Sequence, residues 1–294
     1  MVQFKIRHVT TYRYDNYVQN IKNIIKLYPV EDSHQQLISQ EIKVTANPYI
    51  SVSHDGFGNK FGMFSLRGSF NELSIDSEVV VSTVERDVVA DVCRTWQNWD
   101  DVNLLSIDNS FQVFLNQKDF IGIKEIISVV QSFNVRSKMP FQVIKEFNSY
   151  IYHNFHYNTG VTSVFTTLAQ VWNMKAGVCQ DFAHILIVML RLINIPARYV
   201  SGYICPNKNG MRGDGASHAW VEAYLPYYGW LGVDPTNNCL VNEKHVRLAV
   251  GRDYNDISPV KGEFWGTANQ YLTVAVTVSY EESEKVLATA SDQN

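Results

Sequence analysis

The segment "GVCQDFAHILIVMLRLINIP", residues 177–196, restricts the fold more than any other stretch of the chain. Phe182, Ile185, Leu186, Met189, Leu190 and Ile193 recur at helical spacing as one wide apolar stripe, and Pro196 stops the helix soon after. A stripe this wide must be buried against other elements. "ARYVSGYI", "HAWVEAYL" and "GWLGVD" follow with strand patterning, the last two joined at "PYYG". A helix followed by antiparallel strands predicts an α+β domain. Upstream, "MPFQVIKEFNSYIYHNF" predicts a second helix, with Ile144, Phe147, Ile151 and Phe155 on one face and Pro140 in its first turn.

The 294 residues favour two domains. Residues 1–95 alternate like strands in "VQFKIRHVTTYRY" and "LISQEIKVTANP" and are β-branched in "NELSIDSEVVVSTVE", which predicts an N-terminal β-sandwich. Within it "HDGFGNK" reads as a turn, with Gly56 and Gly58 supplying positive φ. Residues 96–119 read as a connection and 120–294 as the second domain, its core near 155–240. The tail returns to strand patterning in "QYLTVAVTVSY".

A formal net charge of −4 supplies no basic field for phosphates, so nucleic acid is not an expected partner. The N-terminus reads as a strand rather than a signal peptide, and the apolar run Ile185–Leu190 is too short to span a bilayer, so no membrane is expected either. Cys93, Cys179, Cys205 and Cys239 lie far apart without CxxC spacing, which points to neither a zinc knuckle nor a disulfide scaffold. A reduced, cytoplasmic protein is the expectation, with a disulfide between Cys205 and Cys239 left open. The sequence sets no oligomeric state.

Cys179 stands at the mouth of the buried helix, where unpaired N–H groups and the helix dipole favour a thiolate, and its own amide could donate to an oxyanion. Gly177 would allow close backbone approach to a substrate. If "PYYG" turns the chain, residues whose numbers sum to about 454 lie opposite each other, so His218 and Asp234 become neighbours at the open end of the hairpin. Cysteine, histidine and aspartate then supply nucleophile, base and orienter. Other groups read as bland. His184 lies about 140° around the helix from the thiol, as 3.6 residues per turn dictates, and suits a satisfied core position beside Asp181. His153 and His156 have metal-like spacing without an acidic or cysteine ligand nearby, so no metal and no cofactor are expected. Trp172 reads as packing.

"GVCQDFAHILIVMLRLINIPARYVSGYI", "SHAWVEAYLPYYGWLGVDPTNN" and "GRDYNDISPVKG" resemble the bacterial transglutaminase-like superfamily of cysteine-protease type. The N-terminal strands with "FGN" resemble the β-sandwich domain that accompanies this family in bacteria. By motif, the family's cysteine falls on Cys179, its histidine on His218 and its aspartate on Asp234. The resemblance implies a papain-like, metal-free mechanism through a thioester acyl-enzyme. Tyr157 and Gln180 are the side-chain candidates for an oxyanion site.

A cysteine hydrolase acting on a peptide or amide bond is therefore expected. A true transglutaminase and a non-catalytic peptide-binding module are the rivals. The polar, glycine-rich loop 205–217 suits a wet rim better than a sealed amine tunnel, which favours water as the acyl acceptor.

Overall fold

The computed structural model describes residues 1–85, 98–163, 165–205, 212 and 217–281. Its first sheet is antiparallel and six-stranded, built on two long strands, β1 (Val2–Ile25) and β4 (Lys60–Thr83). β2 (Gln35–Val44) and β3 (Ser51–His54) pair with β4. The β1–β4 register shifts between Arg13 and Val18 and again between Gln19 and Ile21, so irregular pairing divides the long strands into two regular stretches. Alternation along β1 buries Phe4, Ile6, Tyr12 and Tyr14 in a core that also takes in Tyr203, Val246 and Leu248 of the second sheet. In the "HDGFGNK" turn Gly58 has positive φ but Gly56 does not, because the Asp55 carboxylate bonds the amides of Phe57 and Asn59 and shapes the turn instead.

The second sheet has the order β10-β9-β8-β7-β11, formed by β7 (Ala197–Ile204), β8 (Ser217–Leu225), β9 (Gly229–Asp234), β10 (Cys239–Leu240) and β11 (His245–Gly251). Four longer helices precede it or lie against it: α1 (Ile123–Ser132), α2 (Pro140–Asn154), α3 (Leu168–Met174) and α4 (Cys179–Arg191). α4 is the central element. Its expected stripe is buried, and so are Ala183, Ile187 and Val188, so it is enclosed on almost every side. Ala219, Val221 and Ala223 of β8 and Phe147 and Ile151 of α2 share its core.

One expectation changes. β12 (Val260–Trp265) and β13 (Gln270–Tyr280) do not belong to the second domain's sheet but pair with β1, the first with Gln19–Ile25 and the second with Phe4–Tyr14. β1 has a free side that "QYLTVAVTVSY" completes, and strand patterning cannot name the partner sheet. In the described part of the 96–119 connection, the Phe114 ring lies 5.8 Å from that of Phe57 of the β domain and 5.2 Å from that of Trp230 of β9, centroid to centroid.

The two sheets are joined along the outer edge of β11. Gln35 accepts the Arg247 N–H at 2.7 Å and donates to the Arg247 carbonyl at 2.8 Å. Asn59 treats Val250 the same way, with both bonds at 2.7 Å. Beneath them the fully buried Glu222 pairs with Arg198 at 2.6 Å and Arg247 at 2.8 Å, and Arg247 also pairs with Asp32 of the β domain. Burial opposes the charged form of Glu222, and the two guanidinium groups outweigh it, holding its carboxyl below the usual carboxylate range. Removing the carboxylate takes away a fully buried counter-ion that two guanidinium groups share, so Glu222→Ala should lower unfolding stability by about 3–5 kcal/mol in urea titration. A loss below about 1 kcal/mol would show the cluster to be solvated.

Candidate active site

Cys179 is the first residue of α4 and 9% exposed. Local capping places it there. The Asp181 side chain reaches back to accept the Val178 N–H at 2.8 Å and the Thr162 hydroxyl at 2.7 Å. A Cβ on Gly177 would stand 2.4 Å from Asp181 Oδ2, so this glycine makes room for the capping carboxylate rather than for a substrate backbone. Burial raises the Asp181 pKa, and its two hydrogen bonds only partly offset the effect.

The β8–β9 hairpin has the expected register: Val221 pairs with Val233 and Leu225 with Gly229. His218 Nε2 and Asp234 Oδ2 lie 2.8 Å apart, both side chains fully buried. Asp234 Oδ1 accepts from the amides of Thr236 at 2.8 Å and Asn237 at 3.3 Å, while Oδ2 also takes the Asn237 side-chain amide at 2.8 Å. The same oxygen lies 3.3 Å from Nε2 of His245. The backbone N–H of Asn242 lies 3.3 Å and its side-chain Oδ1 3.2 Å from His245 Nδ1.

Burial disfavours charge on both members of the pair, and their mutual attraction overrides it: the His218 pKa is raised and that of Asp234 lowered. Cys179 is the other group acting on the His218 ring. With Nε2 turned to Asp234, the buried Nδ1 has no bonded partner at normal geometry and is the atom available to a thiol proton.

His218, Asp234 and His245 also have metal-ligand spacing, their atoms lying within 4.8 Å of one another. Asp234 Oδ2, which faces both rings, already takes the Asn237 side-chain amide at 2.8 Å.

Both oxyanion candidates reach the site. Tyr157, on β5 (His156–Tyr157), pairs with Gly177 of β6 (Ala176–Gly177), and it lines the same cleft as Gln180, Cys179 and His218. Burial raises the Tyr157 pKa and the nearby Cys179 adds to it. The other readings find ordinary places. His184 accepts the Tyr254 N–H and is held neutral by burial, its pKa lowered to about 4. His153 bonds the Ser149 carbonyl, and the Trp172 indole donates to Glu125. Cys205 and Cys239 are not joined in a disulfide, and Cys93 lies outside the described residues. His245 was not signalled by any local motif, since it meets Asp234 only through the sheet order. Asn237 is legible in "DPTN" as a side chain three residues beyond the aspartate.

Residues 127–235 match the transglutaminase-like superfamily, and residues 4–82 match the bacterial transglutaminase-like N-terminal region. An uncharacterized Mycobacterium tuberculosis protein is 30% identical over 295 residues, covering 94% of this chain and 92% of that protein. A solved Cytophaga hutchinsonii chain, assigned provisionally as a cysteine protease, superposes with a TM-score of 0.76 at 21% identity, over 96% of this chain and 92% of that one. A Pseudomonas aeruginosa protein-glutamine gamma-glutamyltransferase is 38% identical over 71 residues, 22% of this chain and 11% of that protein.

Three outcomes follow. Among Cys179, Cys205 and Cys239, iodoacetamide should modify Cys179 first, because Cys205 is fully buried and burial pushes the Cys239 pKa up to about 12; peptide mapping checks the order. Gly177→Ala should slow that reaction by about 10- to 100-fold through displacement of the helix mouth, with the circular dichroism spectrum unchanged. The charged pair should stabilise the fold fully between roughly pH 4 and 6.5, above the unfolded aspartate pKa and below the unfolded histidine pKa. Its contribution is lost as pH rises through the raised His218 pKa, and as pH falls through the lowered Asp234 pKa. The stability gap between wild type and His218→Gln should therefore narrow from pH 6 to pH 9; a constant gap would contradict the coupling.

Proposed function

Because this chain belongs to the transglutaminase-like superfamily, we propose that it is a cysteine-dependent hydrolase of peptide or amide bonds that works through a thioester acyl-enzyme. The observation that carries this reading is the meeting of Cys179 and His218 at one cleft, with buried Asp234 behind the ring, His218 Nδ1 unbonded and Nε2 anchored to the carboxylate. With its proton held on His218 Nδ1, the Cys179 sulfur attacks the carbonyl carbon. The Cys179 amide donates to the oxyanion, with Tyr157 and Gln180 as side-chain candidates. As the tetrahedral adduct collapses, His218 returns the proton to the departing amine, leaving the thioester. Water then attacks, His218 takes its proton, and the acid leaves as the thiol is restored. Asp234 holds the ring and balances the imidazolium throughout. Cytoplasmic placement remains part of the proposal; no helix among the described residues is long and apolar enough to cross a membrane.

Transfer to an amine is the second reading, favoured by the similarity to the Pseudomonas glutamyltransferase. Both routes share the thioester and differ only in the acceptor. An activated peptide ester, followed by mass spectrometry with a labelled primary amine present, separates them. Mainly free acid is expected, because water wins unless a site holds the amine; mainly amide at modest amine concentration would overturn hydrolysis. No turnover of any acyl donor would leave a binding module. Asp234→Asn should keep the fold and cut turnover by about 10⁴-fold, the cost of the wrong histidine tautomer in comparable triads.

A further inference from the structure

The cleft at Cys179 encloses about 280 Å³, and one of its walls is not part of the core that carries the nucleophile. His8, Thr10 and Tyr12 of β1, with Leu272 and Val274 of β13, close it from the β domain. Tyr157, Tyr199 and Tyr254 face them from the core. Among the described residues no lysine, arginine, aspartate or glutamate lines this space. His8 adds no charge near neutral pH: burial lowers its pKa to about 4, and its ring nitrogens meet the Tyr203 hydroxyl at 2.9 Å and the Thr10 hydroxyl at 3.1 Å. The charge that His218 carries is matched behind the wall by Asp234.

The space continues. A second cavity of about 560 Å³ shares Tyr12, Tyr254, Val260 and Leu272 with the first, and only there do Lys261 and Glu263 enter the lining. A charged substrate group beside Cys179 would lose water without gaining a counter-ion, whereas one farther along would meet both signs.

On the hydrolase reading above, we infer that the two domains together form a specificity pocket for an uncharged apolar or aromatic side chain on the acyl side of the scissile bond, with charge tolerated only beyond it. The cleft volume lies just below the roughly 300–1,000 Å³ of drug-sized ligand sites, which suits a side chain and its peptide unit.

The test uses peptidyl acyloxymethyl ketones bearing Leu, Phe, Lys or Glu next to the reactive ketone. Cys179 sulfur displaces the acyloxy group, forming a thioether and releasing a carboxylate, so mass spectrometry of the full chain gives the rate for each probe. Leu and Phe probes should label wild type about 100-fold faster than Lys and Glu probes, the scale set by an unpaired charge leaving water. Leu272 is 55% exposed, so Leu272→Glu should fold, and it should raise the Lys-to-Leu rate ratio about 10-fold by placing a counter-ion on the β-domain wall. Equal labelling of wild type by charged and neutral probes, or an unchanged ratio in Leu272→Glu, would overturn the inference while leaving the hydrolase reading intact. If no peptidyl probe labels Cys179 and iodoacetamide reacts there no faster than at Cys205 or Cys239, the hydrolase reading itself fails.

Discussion

Two side-chain amides take the place of a neighbouring strand at the edge of the core sheet. An edge strand offers a row of unpaired backbone groups, and here Gln35 and Asn59 of the β domain each satisfy both the N–H and the carbonyl of one β11 residue. Such bonds are directional as well as favourable, so they fix distance and angle between the sheets more firmly than apolar contact alone. The Glu222 cluster beneath adds a charge match that tolerates little sliding. The cleft depends on this joint, because residues of β1 and β13 face Cys179 only while the sheets hold that relation.

Two buried carboxylates at the site show how surroundings divide labour. Asp181 has only neutral donors, the Val178 amide and the Thr162 hydroxyl, and its pKa rises. Asp234 has neutral donors as well, but also an imidazole able to carry charge, and its pKa falls. The first secures the geometry of a helix mouth and the second supports a proton carrier. His245 adds a second ring to this arrangement, meeting the same Asp234 oxygen as His218 does, so the carboxylate is held from several directions.

Much of this was legible in the chain because it rests on local rules. The α4 stripe, Pro140 at a helix start and the hairpin centred on "PYYG" depend on periodicity and turn chemistry, and they bring His218 to Asp234. What stayed hidden depends on sheet order. Nothing near His245 reports that β11 lies beside β7, and nothing in "QYLTVAVTVSY" reports that its partner is β1. Gly177 was legible as a special position but not in its reason, since the group filling the missing Cβ space comes from Asp181, one helical turn ahead. Cys179, His218 and Asp234 could be picked out from helix start and hairpin register and from the resemblance by motif, but the wall that β1 and β13 contribute belongs to no motif.

The pairing of β13 with β1 carries a consequence for how the molecule is made. Phe4 lies opposite Tyr280, so the outer side of the first strand is covered only by a segment from far along the chain. Domains otherwise fold in the order in which they emerge, and closing so long a loop is entropically slow. The nucleophile-bearing core can therefore condense while one wall of its cleft is still missing. A core that condenses before β13 docks would carry an open strand edge and a cleft without its Leu272 and Val274 wall.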